Sequence, residues 1–87
     1  MDRSLGKVVL FPNPNGGTFA FVMDVAKRQN VEVRLMNMHG QLVWSEALGN
    51  VVGEVSRMVD LDRKVPGVYF FQVIAEGAVV TRKVVIE

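Results

Sequence analysis

Residues 11–19 read FPNPNGGTF and stand between two apolar, strand-like runs. A proline disfavours the helical conformation in the residue before it, so Pro12 and Pro14 keep their predecessors extended. Gly16 and Gly17 can adopt positive φ angles without steric cost. The stretch therefore predicts a stiff corner that leads the chain out of one strand and into another.

Beyond this corner, apolar residues recur at every second position along several runs of the chain. This alternation gives a strand one apolar face and one polar face, whereas a helix would repeat every three or four residues. β-branched and aromatic residues, which strands favour, dominate the same runs. The predicted buried faces carry Phe19, Phe21, Met23 and Val25, then Val31, Val33 and Leu35, and later Tyr69, Phe71 and Val73.

Short turns separate these runs, which is typical of an all-β fold. Hairpin turns are predicted at His39-Gly40 and at Glu76-Gly77. A polar turn over residues 27–30 and a looser loop over residues 49–53 are expected as well. We expect about seven strands in an immunoglobulin-like antiparallel β-sandwich, over residues 7–11, 18–25, 31–38, 41–46, 54–61, 67–75 and 79–86.

Two aromatic residues have predicted roles in this sandwich. Tyr69 follows Pro66-Gly67 at the start of a strand. In immunoglobulin-like sandwiches a tyrosine so placed hydrogen-bonds back to the preceding corner. Trp44 is expected to fill part of the core, where its indole N–H would need a partner.

Composition restricts the class of protein. The chain has 87 residues, 49% of them hydrophobic, which suits one small folded domain. Its 10 basic and 9 acidic residues are interspersed, so no basic stripe suggests nucleic-acid binding. Cysteine is absent, and packing alone must hold the fold. Residues 1–6 look like a tether without the apolar core of a signal peptide, so we expect any export signal elsewhere in a longer protein.

Neither catalysis nor a metal site is expected, and no cofactor is predicted. His39 is the single histidine and stands in a predicted turn, with no nucleophile at a recognisable spacing. Asp60, Asp62, Asn13 and Asn15 could offer oxygen ligands to Ca²⁺. Turn formation explains these residue types without a metal.

Four segments, in this order along the chain, resemble one known family. Residues 11–19 carry an aromatic residue, Pro-Asn-Pro and a glycine, and residues 31–43 hold a hairpin. Residues 61–70 contain Pro-Gly-Val-Tyr-Phe, and residues 81–85 are basic and then apolar. Together they are similar to the C-terminal sorting domain of the type IX secretion system, the Por system of Bacteroidetes. The resemblance covers nearly the whole chain and assigns residues 7–87 to the sorting domain.

The resemblance implies a non-catalytic secretion signal at the C-terminus of a larger protein. The implied partners are the upstream cargo domain, the outer-membrane type IX translocon with its shuttle proteins, and a sortase-like surface peptidase that removes the domain. It also implies passage through the periplasm and delivery to the cell surface or the extracellular space. The recognition and structural motifs of the family fall on Pro12, Asn13, Pro14, Gly17, Gly40, Pro66, Gly67, Tyr69, Lys83, Val84 and Val85.

The last predicted strand, residues 79–86, is a candidate for recognition, because an edge strand can pair with a receptor strand. The same edge could join two copies of the domain into a dimer. Lys83 fits a receptor contact and a solvated edge charge equally well. Two other functions stay open: a small carbohydrate- or protein-binding module appended to a secreted enzyme, and a free-standing structural or adhesive subunit.

Overall fold

The computed structural model describes residues 5–87, and their strands form one antiparallel sheet. Its strands are β1 (Val9–Phe11), β2 (Thr18–Asn37), β3 (Leu42–Asp60), β4 (Gly67–Ala75) and β5 (Ala78–Ile86). The strand order is β1–β2–β4–β5, and β3 pairs with β2. The all-β, antiparallel prediction is confirmed. Within residues 5–87 the structure contains no helix that is long and apolar enough to span a membrane.

β2 is one long strand where the sequence predicts two. The polar turn expected over residues 27–30 is wrong, because β2 continues through it. There, residues 26–28 of β2 stand opposite Val52 alone on β3, so the extra residues bend the strand without ending it. Gln29 is buried in this bend and donates from its side chain to the carbonyl oxygen of Lys27 at 3.1 Å.

β3 likewise contains two of the predicted strands, and the loop expected over residues 49–53 is wrong. Gly49 and Gly53 have φ angles of 75° and 83° and lie within the strand. Glycine tolerates such angles, so β3 accommodates irregularities at these positions while it stays paired with β2. The described chain therefore has five strands rather than seven, since two strands each hold two predicted segments.

The bend in β2 curls the sheet over a single core. The first half of β2 pairs with β1 and β3, and its second half pairs with β3 and β4. Phe21 from the first half packs on Phe71 of β4, with ring centroids 4.9 Å apart. Phe19 approaches the same ring edge-on at 6.1 Å. The three predicted apolar faces are all buried, which confirms them.

Both predicted hairpin turns are confirmed. His39-Gly40 lies between β2 and β3, and Glu76-Gly77 lies between β4 and β5. Trp44 differs from the prediction, because it is half-buried at the border of the core and does not fill it.

The predicted tether falls partly on residues 1–4, which lie outside the described residues. Its last two residues contact β2. Leu5 bridges to Val25, and the N–H of Gly6 donates to the carbonyl oxygen of Asp24 at 2.7 Å.

Candidate recognition site at the last strand

Residues 12–15, which we call the edge strap, run beside the end of β5. The N–H of Asn15 donates to the carbonyl oxygen of Val85 at 3.0 Å, and the N–H of Glu87 donates back to the carbonyl oxygen of Asn15 at 2.8 Å. Asn15 thereby forms a parallel bridge with Ile86. The strap thus occupies the place that a further strand would take along the last residues of β5.

The side chain of Asn13 extends this pairing. Its Nδ2 donates to the carbonyl oxygen of Lys83 at 2.9 Å, and its Oδ1 accepts the N–H of Val85 at 3.0 Å. One side-chain amide therefore satisfies the donor and the acceptor that a neighbouring peptide group would otherwise satisfy. Pro12 and Pro14 follow cis peptide bonds and have no N–H, so they offer no donor of their own for further pairing.

Asn15 holds the strap in shape from within. It is 6% exposed, and its Oδ1 accepts the N–H of Gly17 at 2.8 Å while its Nδ2 donates to the carbonyl oxygen of Pro12 at 3.0 Å. Both polar atoms of the side chain and both backbone polar groups therefore make a hydrogen bond, as is usual for a buried amide. Sequence reasoning missed this residue as part of the site, because an asparagine beside two glycines indicates a turn and does not reveal its burial.

Gly17 joins the strap to the loop between β3 and β4. Its φ angle is 106°, and a Cβ atom there would overlap Cγ of Lys64. Its carbonyl oxygen accepts the N–H of Leu61 at 3.0 Å. A glycine is needed here both for the backbone angle and for the close approach of the lysine side chain.

An exposed ionic contact lies beside this corner. Oδ1 of Asp60 accepts the hydroxyl of Thr18 at 2.8 Å and lies 3.0 Å from Nζ of Lys64. The Thr18 hydroxyl first, and then Lys64, hold the pKa of the Asp60 carboxyl below its ordinary value, because both stabilise the ionised form. The groups are solvent-exposed, so the contact orders the corner more than it stabilises the fold.

The start of β4 lies against the end of β5. Gly67 pairs with Ile86, and Tyr69 pairs with Val84. The hydroxyl of Tyr69 donates to the carbonyl oxygen of Val65 at 2.6 Å, which confirms the predicted bond back to the preceding corner.

The structure brings most of the predicted motif residues into one cluster, formed by the strap, the end of β5 and the start of β4. Gly17 and Pro66 lie next to these elements in the chain, Gly17 after the strap and Pro66 before β4. Gly40 lies apart, in the turn between β2 and β3, where its N–H donates to the carbonyl oxygen of Asn37 at 3.0 Å. Lys83 is exposed, whereas Val84 is fully buried in the core. No group of three metal-binding side chains occurs within residues 5–87.

The outer edge of β5 is only partly open. Val85 directs its backbone N–H and carbonyl groups toward the strap. Backbone groups alternate in direction along a strand, so those of residues 79, 81 and 83 also point away from β4. From residue 83 onward the strap covers this edge, and the prediction that the whole last strand is accessible is wrong there. Between residues 79 and 83, no backbone group of residues 5–87 pairs with the outer edge of β5, which is the edge away from β4. We call this stretch the open edge.

A separate groove of about 500 Å³ lies between the β2–β3 turn and the β3–β4 loop. Trp44 forms part of its apolar wall. Gln41, Asp62 and Arg63 contribute polar and charged side chains to its lining. An apolar wall with a few polar groups is typical of a small-ligand site.

Comparison with known proteins adds to this geometry. A search of curated proteins finds no match. Among solved structures, the chain is similar to dimeric latent PorU from Porphyromonas gingivalis, with a TM-score of 0.74 and 21% identity. The likeness covers 91% of this chain but 9% of the PorU chain, and at this identity it shows a shared fold.

A family model, described as the secretion system C-terminal sorting domain, matches residues 9–87. Domains of this family are non-catalytic type IX sorting signals, which mark proteins for export to the cell surface or the extracellular space. The matched residues include the strap, all five strands and the turns between them. The chain therefore belongs to the family of type IX secretion C-terminal sorting domains.

Proposed function

We propose that this domain directs an upstream cargo protein through the outer membrane. The type IX translocon and its shuttle proteins recognise the folded domain, and a sortase-like peptidase then removes it and attaches the cargo to the cell surface. Residues 1–6 serve as the link to the cargo, and residues 7–87 form the signal. The domain takes no catalytic part in these steps.

The observation that supports this proposal most directly is the pairing of the strap with β5. Asn13, between the family motif residues Pro12 and Pro14, is held against Lys83 and Val85 by two hydrogen bonds of its side-chain amide. Asn15 adds main-chain hydrogen bonds to the end of β5. A signal that serves many cargos needs a surface defined by its own fold, and this cluster provides one. We also propose that the two halves of the bent sheet act as the layers of an immunoglobulin-like sandwich that presents the cluster.

Secretion of a reporter tests the proposal. A reporter with a periplasmic export signal is fused ahead of residues 7–87 and expressed in a bacterium that carries the type IX translocon. We expect the reporter outside the cell, and we expect it to stay in the periplasm of a strain without the translocon. A folded fusion that remains in the periplasm of both strains contradicts the sorting role.

Mass spectrometry of the surface reporter tests the later steps. We expect the exported reporter to lack residues 7–87 and to carry a surface attachment. Recovery of the intact fusion at the cell surface would show that this domain is exported without removal, and the peptidase step would be wrong.

The groove beside Trp44 favours a second candidate function, a carbohydrate-binding module. Titration of the domain with neutral mono- and disaccharides, followed by the backbone amide signals of the residues that line the groove in NMR spectra, tests it. Saturable shifts that Trp44→Ala removes, together with unchanged binding when the strap is altered, would support a binding module.

A further inference from the structure

We propose that a short, acidic, extended segment of a partner protein adds a strand to the sheet at the open edge, residues 79–83 of β5. This proposal rests on the proposed sorting function and names the chemistry by which the domain is recognised. Main-chain pairing of this kind tolerates sequence variation and takes its specificity from the side chains beside it.

The hydrogen-bonding groups of the open edge are ready for such a strand. Val79 and Thr81 present their backbone groups away from β4, and so does the N–H of Lys83. An unpaired row of this kind is a template for another strand. The carbonyl oxygen of Thr81 accepts a bond from the guanidinium of Arg82 at 3.1 Å, which a partner strand can replace in this exposed position.

The open edge has two fixed ends. The β4–β5 turn bounds it on one side, and Asn13, bonded to Lys83 and Val85, bounds it on the other. A strand rises about 3.3 Å per residue, so the open edge spans roughly 13–17 Å. A partner segment of about four or five residues fits this length, and contact with the strap would set its register.

Charge indicates which segment fits. Arg82 and Lys83 are exposed neighbours on β5, and consecutive side chains of a strand point to opposite faces. Their partners on β4 are Phe71 and Phe70, and neither cation forms a salt bridge within residues 5–87. Each face of this edge therefore carries one cation, and the ring of Phe70 is exposed beside Lys83 whereas that of Phe71 is buried in the core. Acidic side chains on the incoming strand would complement the two cations.

Val79 completes the expected pattern. It is 61% exposed and lies at the far end of the open edge from Lys83. An apolar residue of the partner opposite Val79 would cover it, as cross-strand neighbours do. The incoming segment should therefore be apolar near the β4–β5 turn and acidic near the strap.

The outer edge of β3 is longer but less suitable. Its register with β2 shifts at Leu48 and at Val43, and Gly49 and Gly53 interrupt it with positive φ angles. Such bulges prevent a continuous ladder with another strand. The open edge of β5 lacks these interruptions, because β4 and β5 pair in one register from end to end.

Thr81→Pro tests the proposal, with Thr81→Ala as the matched control. Proline removes an N–H that points away from β4, at an edge position where strands tolerate it. Both variants lose the weak hydrogen bond from Gln72 to the Thr81 hydroxyl. Alanine keeps the backbone N–H at this position, whereas proline lacks it and adds its ring, so these are the differences that the comparison tests. In the secretion experiment, we expect Thr81→Pro to lower extracellular reporter at least about tenfold and Thr81→Ala to change it less than about twofold.

A charge reversal provides the second variant, in case Thr81→Pro lowers the melting temperature. We expect Arg82→Glu with Lys83→Glu to lower secretion at least about tenfold, whereas Arg28→Glu at the exposed bend of β2 changes it less than about twofold. Circular dichroism of the purified variants verifies that each domain remains folded. Secretion of a folded Thr81→Pro variant at the wild-type level overturns the proposal.

The experiment separates this proposal from the sorting function itself. Absence of wild-type secretion contradicts the function, whereas secretion of a folded Thr81→Pro variant at the level of a secreted wild type contradicts the open edge alone. Sedimentation of the isolated domain tests the remaining possibility, that a second copy of the chain pairs with the open edge. A dimer that Thr81→Pro dissociates without changing secretion would assign the open edge to self-association and overturn the acidic segment.

Discussion

At the scale of single residues, Gly17 is the position where a side chain is least acceptable. Its φ angle of 106° is unfavourable for other residues, and a Cβ atom would overlap Lys64. We expect Gly17→Ala to lower the free energy of unfolding by about 1–3 kcal/mol. Urea denaturation of the purified domain measures this change.

Gly16→Ala is the matched control, because a Cβ atom at Gly16 meets nothing within 4 Å. Its φ angle is not positive, so alanine should leave stability unchanged or raise it by up to about 1 kcal/mol, since it restricts the unfolded chain. Equal losses at the two glycines would show that the corner does not depend on the geometry of Gly17.

Asp60 offers a test of electrostatics at the same scale. Its pKa lies below the ordinary value of 3.8, first because of the Thr18 hydroxyl and then because of Lys64. A lowered pKa in the folded state contributes stability above the unfolded value, and this is lost as pH falls through the folded value. We expect the effect on stability to be small, because the carboxyl is exposed.

NMR titration of the Asp60 carboxyl measures the shift directly. We expect Thr18→Ala and Lys64→Met each to raise the pKa of Asp60, since the Thr18 hydrogen bond is the largest single cause of the lowered pKa and Lys64 adds a hydrogen bond and a Coulomb attraction. An Asp60 pKa that is not lowered in the wild-type domain, or one that neither substitution raises, would contradict this account.

Sequence reasoning located the bond of Tyr69 but not the role of Asn15. The position of Tyr69 after a Pro-Gly turn predicts a hydrogen bond from its hydroxyl to the preceding corner, because the two are only a few residues apart in the sequence. The burial of Asn15 depends on β5, which lies about 70 residues further along the chain. Contacts of that separation leave no periodic signal in the residues that make them.

At the scale of elements, the strap and β5 form one unit held by Asn13. Asn13→Ala removes two hydrogen bonds, to Lys83 and Val85, and each exposed bond contributes about 0.5–1 kcal/mol. We expect a loss of about 1–2 kcal/mol in the free energy of unfolding. We also expect faster hydrogen exchange at the amide of Val85, which then faces water.

Asn50→Ala is the control for this change, because Asn50 is an exposed asparagine within β3. It should leave exchange at Val85 unaltered and stability within about 0.5 kcal/mol of wild type. Unchanged exchange at Val85 in Asn13→Ala would show that the strap stays on β5 without the side chain of Asn13.

The long strands show where sequence patterns stop predicting elements. Alternation identified the buried faces of β2 and β4 correctly, because the period of two holds within each run. Polar residues at 27–30 and glycines at 49 and 53 are typical of turns, and they led to two strands where one continues. Their compatibility with a strand comes from the bulges between β2 and β3, which depend on pairing and not on local preference.

At the scale of the whole molecule, the order of the four family segments predicted membership of the sorting family, which composition alone could not predict. The alternation of apolar residues indicated an all-β chain, and the four segments indicated the sorting family. The covering of β5 by the strap was not predictable, because it requires residues 12–15 and 83–87, far apart in the sequence, to meet in the folded domain. Because of that contact, the outer edge of β5 is open over residues 79–83 and covered by the strap beyond them.

The last residues of β5 belong to the core as well as to the recognition site. Val84 and Ile86 are 0% and 2% exposed, so a truncated chain without residues 84–87 loses two core side chains. Burial of such side chains contributes about 1.5–3 kcal/mol each, and a domain of this length has roughly 4–13 kcal/mol in total. We expect the truncated domain to be largely unfolded by circular dichroism, whereas Lys83→Ala keeps the wild-type spectrum. A folded truncation would show that the core closes without the end of β5. If the truncated domain is unfolded, its failure to be secreted would follow from the loss of the fold. Recognition by the secretion machinery is then tested only by variants of the open edge that remain folded.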